Sequence, residues 1–183
     1  MNGAPLPPQH GFPLRLVVPG WYGMTSVKWL AALDVLDEPF AGYQQAVGYR
    51  MRSEPDDPGT PITRILPRAL MVPPGIPDFM TRERSLAAGP VTVEGRAWSG
   101  WGPIDAVEFS ADGGATWVAA ELGEAPPDGA WRGWSVRWDA RPGRHELCCR
   151  TRDGAGNAQP VDADWNVGGY VNTSVQRVPV SVA

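Results

Sequence analysis

Hydrophobic and polar residues alternate along the second half of the chain, beginning near Gly89. Val91, Val93 and Ala97 are separated by polar residues, and later stretches repeat the same pattern. Successive side chains of a β-strand point to opposite faces of a sheet, so each stretch predicts a half-buried strand. The predicted strands lie at about residues 91–97, 107–110, 116–118, 134–138, 147–152 and 176–182.

Segments rich in glycine and proline separate these predicted strands. The run ADGGA at 111–115 predicts a tight hairpin turn, because glycine adopts positive φ without steric cost. Further turns are predicted at 126–129, 141–143 and 153–157. Short strands at this spacing over about a hundred residues predict an immunoglobulin-like β-sandwich.

Three tryptophans and two cysteines fall within the predicted strands. Alternation assigns Trp117, Trp134 and Trp138 to the sandwich core rather than to a ligand platform. Cys148 and Cys149 are adjacent, so on a strand they point to opposite faces and form neither a disulfide framework nor a metal site. We expect one buried thiol and one half-exposed thiol.

The first part of the chain lacks this regular pattern. Leu30–Val35 is compatible with a strand or a helical turn, and acidic residues follow it. Residues 53–61, SEPDDPGTP, have the composition of a linker. A second proline-rich run, PPGIP at 73–77, follows a short apolar stretch.

Composition and charge narrow the class of protein. The chain has 183 residues, 43% hydrophobic and 20% charged, which is typical of a globular protein of one or two domains. A net charge of −4 and the lack of a basic stripe argue against nucleic-acid binding. The sequence shows neither an apolar run of membrane-spanning length nor a signal peptide. We therefore expect no membrane partner and a cytoplasmic location, and a longer parent protein could be periplasmic.

Candidate binding chemistry is concentrated in the run HGFPLRLVVPGWYGMTSVKWL at 10–30. The chain has no acidic side chain through residue 30, whereas it carries Arg15 and Lys28. Together with His10 and Ser26, these are donor types that bind phosphate. A glycine-punctuated loop with convergent donors predicts an anion cradle. The apolar residues around it, including Phe12, are expected to be exposed.

A purely structural interpretation of the same run remains open. It consists of a strand at Leu14–Val18, a turn at Pro19–Gly20, and a short helix or strand near Ser26–Leu33. On spacing alone this interpretation is favoured over an anion cradle.

Four segments of the chain resemble the sulfite oxidase family of molybdopterin-dependent oxidoreductases. The first is the run at 10–30, which is similar to the molybdopterin-binding part of that family. The others resemble its C-terminal dimerisation domain. They are GRAWSGWGPIDAVEFSADGGATW at 95–117, CRTRDGAGNAQP at 149–160 and Trp165-Asn166.

The resemblance implies a fold, a cofactor and partners. It implies a mainly β protein, with an immunoglobulin-like sandwich preceded by an incomplete α+β segment of the molybdopterin-binding domain. The implied divisions are 1–52 for that segment, 53–88 for a linker and first strands, and 89–183 for the dimerisation domain. A homodimer formed through the sandwich follows, and the complete enzyme would use a small oxo-anion substrate and an electron acceptor.

The resemblance also implies which residues hold the molybdenum–molybdopterin cofactor. The matching positions are His10, Arg15, Ser26, Val27 and Lys28, with Val27 contributing through its backbone. They would contact the pterin and its terminal phosphate. The family's molybdenum-ligating cysteine lies upstream of this run, so no catalytic residue or metal ligand is assigned to this chain.

Two further positions depart from the family pattern. The family has W-N-x-R-G, in which the arginine helps to bind sulfite, whereas this chain has Gly168 at the arginine position. Loss of a guanidinium removes a charge-assisted contact, which argues against sulfite as the substrate. Gln176 replaces a histidine that is common before the Arg-Val of the last strand.

Three functional interpretations follow. The first is the C-terminal portion of a sulfite oxidase-like enzyme that transfers oxygen atoms, and this portion is expected to be inactive alone. The second is a stand-alone dimerisation or interaction module without catalysis. The third, an adhesion or carbohydrate-binding module, leaves the HGFPLR and SVKWL runs unexplained.

Overall fold

The chain forms two compact units in a computed structural model that describes residues 1, 3–127 and 129–183. Unit 1 comprises Met1–Ile65 and Asp164–Val171. Unit 2 comprises Leu66–Ala163 and Asn172–Ala183. The division implied by the family resemblance, 1–52, 53–88 and 89–183, differs from these two units and stays a prediction.

Unit 2 contains ten strands within the described residues. They are β3 (Arg68–Val72), β4 (Ile76–Pro77), β5 (Arg84–Leu86), β6 (Gly89–Trp98), β7 (Ile104–Ser110), β8 (Val118–Ala119), β9 (Glu121–Leu122), β10 (Arg132–Ala140), β11 (Gly143–Asp153) and β12 (Gln176–Val182). Five of the six predicted strands are found here with close bounds. The predicted strand at 116–118 begins only at Val118, because the preceding residues complete the hairpin turn.

These strands form two sheets, which confirms the prediction of a mainly β, immunoglobulin-like sandwich. One sheet has the order β3-β6-β10-β9 and the other has the order β4-β5-β12-β11-β7-β8. All the pairings are antiparallel except that of β5 with β12. Antiparallel sheets of this kind bury one face and leave the other polar.

The alternating residues supply the core of unit 2. Along β6, Val93 and Ala97 are buried while their neighbours Glu94 and Arg96 are exposed. The buried hydrophobic cluster draws on both sheets. It comprises Ala69, Met71, Val93, Ala97, Ile104, Val107, Phe109, Trp134, Ala140, Leu147, Cys149, Val178, Val180 and Val182.

Trp134 is a buried member of this core, and Gly95 leaves space for its ring. The two residues are cross-strand partners, and a Cβ on Gly95 would overlap both the Trp134 ring and the Leu70 carbonyl oxygen. Trp138 is half-buried and packs against the core, as predicted. Trp117 differs from the prediction, because it is half-buried outside the core cluster with the Arg150 guanidinium 4.2 Å from its ring.

Cys148 and Cys149 are both fully buried, so the expected half-exposed thiol is wrong. Cys149 faces the core, whereas Cys148 lies on the other face of β11 between β7 and β12. The hairpin turn after β7 folds back over that face, where the Gly113 N–H donates to the Glu146 carbonyl over 2.9 Å. The Arg177 side chain also donates to the Gly113 carbonyl over 3.2 Å and thereby covers the thiol.

The free edge of β3 is satisfied by two glutamine side chains. Gln159 Oε1 accepts a hydrogen bond from the Ala69 N–H over 2.8 Å, and its Nε2 donates to the Ser174 carbonyl over 3.3 Å. Gln176 Oε1 accepts from the Met71 N–H over 2.8 Å. An unpaired strand edge is a site of aggregation, and these amides close it from within the chain.

Unit 1 has little regular structure. The helical segments among its described residues are two 3₁₀ turns, Pro8–His10 and Gly23–Thr25, and a π-helix, Gln44–Gly48. Strands β1 (Arg50–Met51) and β2 (Thr60–Pro61) pair antiparallel, so the predicted linker at 53–61 is the loop and second strand of a hairpin.

Two sequence-based interpretations of unit 1 are wrong. Residues 14–18 and 26–33 form neither a strand nor a helix. Pro13 and Pro19 flank the first segment and have no backbone N–H for a strand ladder. Leu30–Val35 is likewise irregular, and its residues from 31 onwards are exposed. Among the residues that the structure describes, no helix is long and apolar enough to cross a membrane.

Candidate cofactor-binding loop

The run at 10–30 folds into a loop of unit 1 that two backbone hydrogen bonds draw together. The Leu16 N–H donates to the Val27 carbonyl over 2.8 Å, and the Leu30 N–H donates to the Leu14 carbonyl over 2.9 Å. The Val18 N–H donates to Ser26 Oγ over 3.3 Å. The two halves of the loop therefore lie side by side without a strand ladder.

Gly11 brings the two cationic residues of the loop close to each other. Its φ of 109° lies in the region that favours glycine. A Cβ on Gly11 would lie 3.0 Å from Lys28 Cβ and 3.2 Å from Arg15 Cβ. A larger residue would push these side chains apart, so the glycine of the His-Gly pair fixes their spacing.

Among the described residues, the Arg15 guanidinium donates to two carbonyl oxygens, and its buried Nε–H has no acceptor. Its Nη1 donates to the His10 carbonyl over 3.2 Å, and its Nη2 donates to the Ser26 carbonyl over 3.3 Å. Arg15 Nε is buried and makes no hydrogen bond within the described structure. A buried N–H of a charged group without an acceptor is costly, so this atom favours the arrival of an acceptor.

Lys28 also lacks an acidic partner. Its Nζ donates to the Gln9 carbonyl over 3.0 Å and lies 5.2 Å from the centre of the Trp29 ring. Trp29 Nε1 donates to the Pro8 carbonyl over 2.9 Å and holds that ring in place. Among the described residues, no carboxylate lies within ion-pair distance of Arg15 or Lys28. Two neighbouring cations that have only neutral partners form a potential binding site for an anion.

The structure places all five predicted site residues in this one loop. His10 is exposed at the end of the first 3₁₀ turn, and Ser26 binds through both its side chain and its carbonyl. Val27 has an exposed side chain, and its N–H makes no hydrogen bond in the described part of the chain. That free N–H is consistent with the expectation that Val27 contacts the cofactor through its backbone.

Two residues of the loop were missed by the sequence interpretation. Gly11 sets the spacing of the cations, and the glycine after His10 was a signal for a close approach. Trp29 has a φ of 53°, which is rare for a residue other than glycine, and nothing in its local sequence indicates this.

The apolar residues expected to be exposed around the loop are Phe12, Leu14, Leu16, Val17, Trp21, Trp29 and Leu30, and four of these seven are exposed. Phe12, Leu14, Val17 and Trp29 are 54%, 56%, 54% and 58% exposed. The other three, Leu16, Trp21 and Leu30, are half-buried.

A second loop of unit 1, Asp164–Val171, carries the Trp-Asn pair. The Asn166 side chain binds both backbone groups of Tyr170. Its Oδ1 accepts from the Tyr170 N–H over 2.9 Å, and its Nδ2 donates to the Tyr170 carbonyl over 2.8 Å. The Val167 N–H donates to the Arg52 carbonyl over 2.9 Å. We call this pair of hydrogen bonds between the Asn166 side chain and the Tyr170 backbone the Asn166 clasp, and it fixes the shape of the loop.

Two family models match the chain, and residues 45–75 lie between the two matches. Residues 1–44 match the oxidoreductase molybdopterin-binding domain. Residues 76–183 match the Mo-co oxidoreductase dimerisation domain. The fold and these matches define an immunoglobulin-like dimerisation domain attached to part of a molybdopterin-binding domain.

Individual relatives agree with the family models. The chain is 37% identical to mitochondrial sulfite oxidase of Macaca fascicularis over its whole length, and 31% identical to nitrate reductase [NAD(P)H] of Hordeum vulgare over 99% of its length. The sulfane dehydrogenase SoxCD from Paracoccus pantotrophus superposes on all of the chain with a TM-score of 0.83 and 26% identity. The chain spans 35%, 23% and 49% of these three proteins.

The chain belongs to the sulfite oxidase family of molybdopterin-dependent oxidoreductases and corresponds to their C-terminal part. The complete enzymes of this family use a molybdenum cofactor. The donor set of the loop fits the phosphate end of such a cofactor, because Arg15 Nε, the Lys28 ammonium and the Val27 N–H all offer hydrogen bonds to an anion.

Proposed function

We propose that this chain is the cofactor-anchoring and dimerisation portion of a sulfite oxidase-like oxidoreductase. The observation that carries this proposal is the buried, unpartnered Nε of Arg15, beside a Lys28 whose partners are also neutral. When bound, the molybdenum cofactor supplies oxygen-atom transfer and passes two electrons to an acceptor. The chain's own residues bind and orient it.

Each loop residue has a specific part in this binding. Arg15 and Lys28 neutralise the terminal phosphate through charge-assisted hydrogen bonds. Ser26 and His10 offer side-chain donors beside them, and Val27 offers its N–H. Since the present partners of Arg15 and Lys28 are uncharged carbonyl oxygens, a phosphate replaces weaker hydrogen bonds with stronger ones.

Phosphate binding tests this assignment directly. We expect pyrophosphate, used as the probe, to bind the chain in isothermal titration and to lose about tenfold or more in affinity in Arg15→Gln or Lys28→Gln. Arg144→Gln is the matched control, since that side chain is 86% exposed and far in sequence from the loop. Equal pyrophosphate affinity in the parent chain and all three variants would contradict the assignment of Arg15 and Lys28 to phosphate binding.

The isolated chain is proposed to be catalytically inactive. Its cysteines do not offer the thiolate that a molybdenum ligand requires, because both are buried and burial raises the pKa of Cys149 to about 12. The expected result is no sulfite turnover and far less than one molybdenum per chain after incubation with cofactor. Stoichiometric molybdenum with turnover would contradict this.

The substrate of the complete enzyme is proposed to be a sulfur compound other than sulfite. Gly168 occupies the place of the arginine that the W-N-x-R-G pattern supplies for the sulfite anion. The structural relative SoxCD is described as a sulfane dehydrogenase, which makes a reduced sulfur group a candidate. A steady-state comparison of sulfite with sulfane substrates on the complete enzyme would decide between them.

Homodimer formation through unit 2 is proposed from the match to a dimerisation domain. A two-fold contact buries the same surface on both copies. Sedimentation equilibrium over micromolar concentrations should give twice the mass of 19.7 kDa. A dimer that does not bind pyrophosphate would instead favour the alternative of a stand-alone interaction module.

A further inference from the structure

The loop Asp164–Val171 belongs to unit 1, the unit that contains the cofactor-binding loop, although both flanking segments belong to unit 2. Asn166 is only 9% exposed, and its clasp on Tyr170 closes a short turn in which the Gly169 N–H also donates to the Asn166 carbonyl over 3.0 Å. Tyr170 is therefore held by its backbone at a fixed position in the loop.

The ring of Tyr170 fills the space next to Gly168. A Cβ on Gly168 would lie 2.6 Å from both Cδ2 and Cε2 of Tyr170, which is closer than real Cβ atoms approach other heavy atoms. The same ring also contacts the ring of Tyr49, with centroids 5.7 Å apart at an angle of 58°. A movement of the Tyr170 ring away from position 168 would therefore disturb its packing on Tyr49.

The backbone after Tyr170 is strained. Val171 has a φ of 53°, in the left-handed region where a β-branched residue is an outlier. Such strain persists only where surrounding contacts over-determine the conformation. The Asn166 clasp and the Tyr49 packing supply those contacts, so the position of the Tyr170 ring is built into the loop.

We propose that Tyr170 is a specificity-determining residue, because its ring occupies the volume that a side chain at position 168 would need. The inference rests on the proposed function. The loop presents a phenol and peptide groups where the W-N-x-R-G pattern presents a guanidinium. A phenol and a peptide N–H are uncharged donors, whereas a compact dianion is bound most strongly by a cation such as a guanidinium. We therefore expect the substrate to be a sulfur group that does not carry two negative charges.

A double-mutant cycle tests the steric part of the proposal on the whole chain. Gly168→Ala should lower the Tm by several degrees, and should lower it much less when Tyr170 is already alanine. Gly23→Ala is the matched control, because a Cβ there meets nothing within 4 Å. The same loss in both backgrounds would overturn the proposal, as would a loss no greater than that of Gly23→Ala.

Sulfate, used as a compact dianion, tests the chemical part. The titrations use a Lys28→Gln background, so that the cofactor-binding loop contributes little to sulfate binding. Gly168→Arg combined with Tyr170→Ala should bind sulfate about tenfold or more tightly than the background, and Gly168→Arg alone should gain less. Equal sulfate affinity for the single and the double variant would overturn the role of Tyr170.

The outcomes separate this inference from the proposed function. A pyrophosphate affinity that is unchanged in the Arg15 and Lys28 variants would contradict the cofactor assignment, whatever the result for the Gly168 and Tyr170 variants. Conversely, a normal pyrophosphate response with no coupling between Gly168 and Tyr170 would contradict only the specificity role.

Discussion

The side-chain oxygen of Gln176 accepts a hydrogen bond from the backbone N–H of Met71 over 2.8 Å. Gln176 begins β12 in the six-stranded sheet, and Met71 lies in β3 at the edge of the four-stranded sheet. The contact therefore joins the two sheets of the sandwich. It gives a structural role to a position where the family often has histidine.

Replacing Gln176 with methionine should destabilise the chain by about 1–3 kcal/mol, because the N–H of Met71 loses its acceptor in a buried strand. Met71 is only 4% exposed, so water does not readily replace the glutamine. Urea unfolding measures the change. Gln176→Glu keeps an acceptor oxygen at this position and should lose less, whereas equal losses would show that the acceptor is not the cause.

Replacing Gly95 with alanine should destabilise the chain by about 1–3 kcal/mol or more through overpacking. The new methyl group would overlap the Trp134 ring and the Leu70 carbonyl, so one of these must move. Unfolding followed by tryptophan fluorescence measures the effect. Gly23→Ala again serves as the control, and a Gly95→Ala loss as small as that control would contradict the close packing.

Acid should weaken the hairpin turn after β7 through Asp112. Hydrogen bonds from the Thr116 side chain and backbone and from the Ser110 side chain lower the pKa of Asp112 from 3.8 to about 2. A lowered folded-state pKa means that the contribution of this carboxylate is present above about pH 4 and is lost as the pH falls through about 2.

The Asp112→Asn variant measures this contribution. Its unfolding free energy should fall less steeply than that of the parent chain between about pH 4 and pH 2. Thr116→Val removes the hydroxyl donor over 2.6 Å and leaves the backbone donor, so its pH dependence should be intermediate. Identical slopes in all three proteins would contradict the assignment.

Both thiols should be unreactive in the folded chain. Burial raises the pKa of Cys148 and raises that of Cys149 to about 12, so little thiolate is present at pH 8. A chromogenic disulfide reagent should label neither cysteine in buffer and both in urea. Cys148→Ser identifies the reacting thiol if one is labelled. Native labelling of Cys148 at the rate of a free thiol would contradict its cover by the hairpin turn.

The sandwich could be predicted from the sequence because its signal is local. Alternation along β6 and β12 follows from the two-residue repeat of a strand, and it places Val93 and Val180 in the core. The burial of Cys148 could not be predicted in this way. It depends on Arg177 and on a turn that contacts β11 from a distant part of the sequence.

The candidate site shows the same limit. Charge and donor type pointed to Arg15 and Lys28 as candidates, but on spacing alone a purely structural interpretation was favoured, and only the family resemblance implied a cofactor role, which stays a prediction. The regular elements expected around them were wrong, since prolines and the left-handed backbone of Trp29 set an irregular path. Tyr170 gave no local signal, because its importance comes from the ring filling the space beside Gly168.

The chain passes between its two units three times, since Asp164–Val171 returns to unit 1 before the final strand is made in unit 2. No single cut in the polypeptide can therefore release either unit whole. A recombinant fragment that begins at Leu66 would carry a loop whose partners, among them Tyr49 and Arg52, had been left behind. For the same reason, transferring the sandwich from one enzyme to another would also transfer the loop Asp164–Val171, which carries the residue that we propose determines substrate choice.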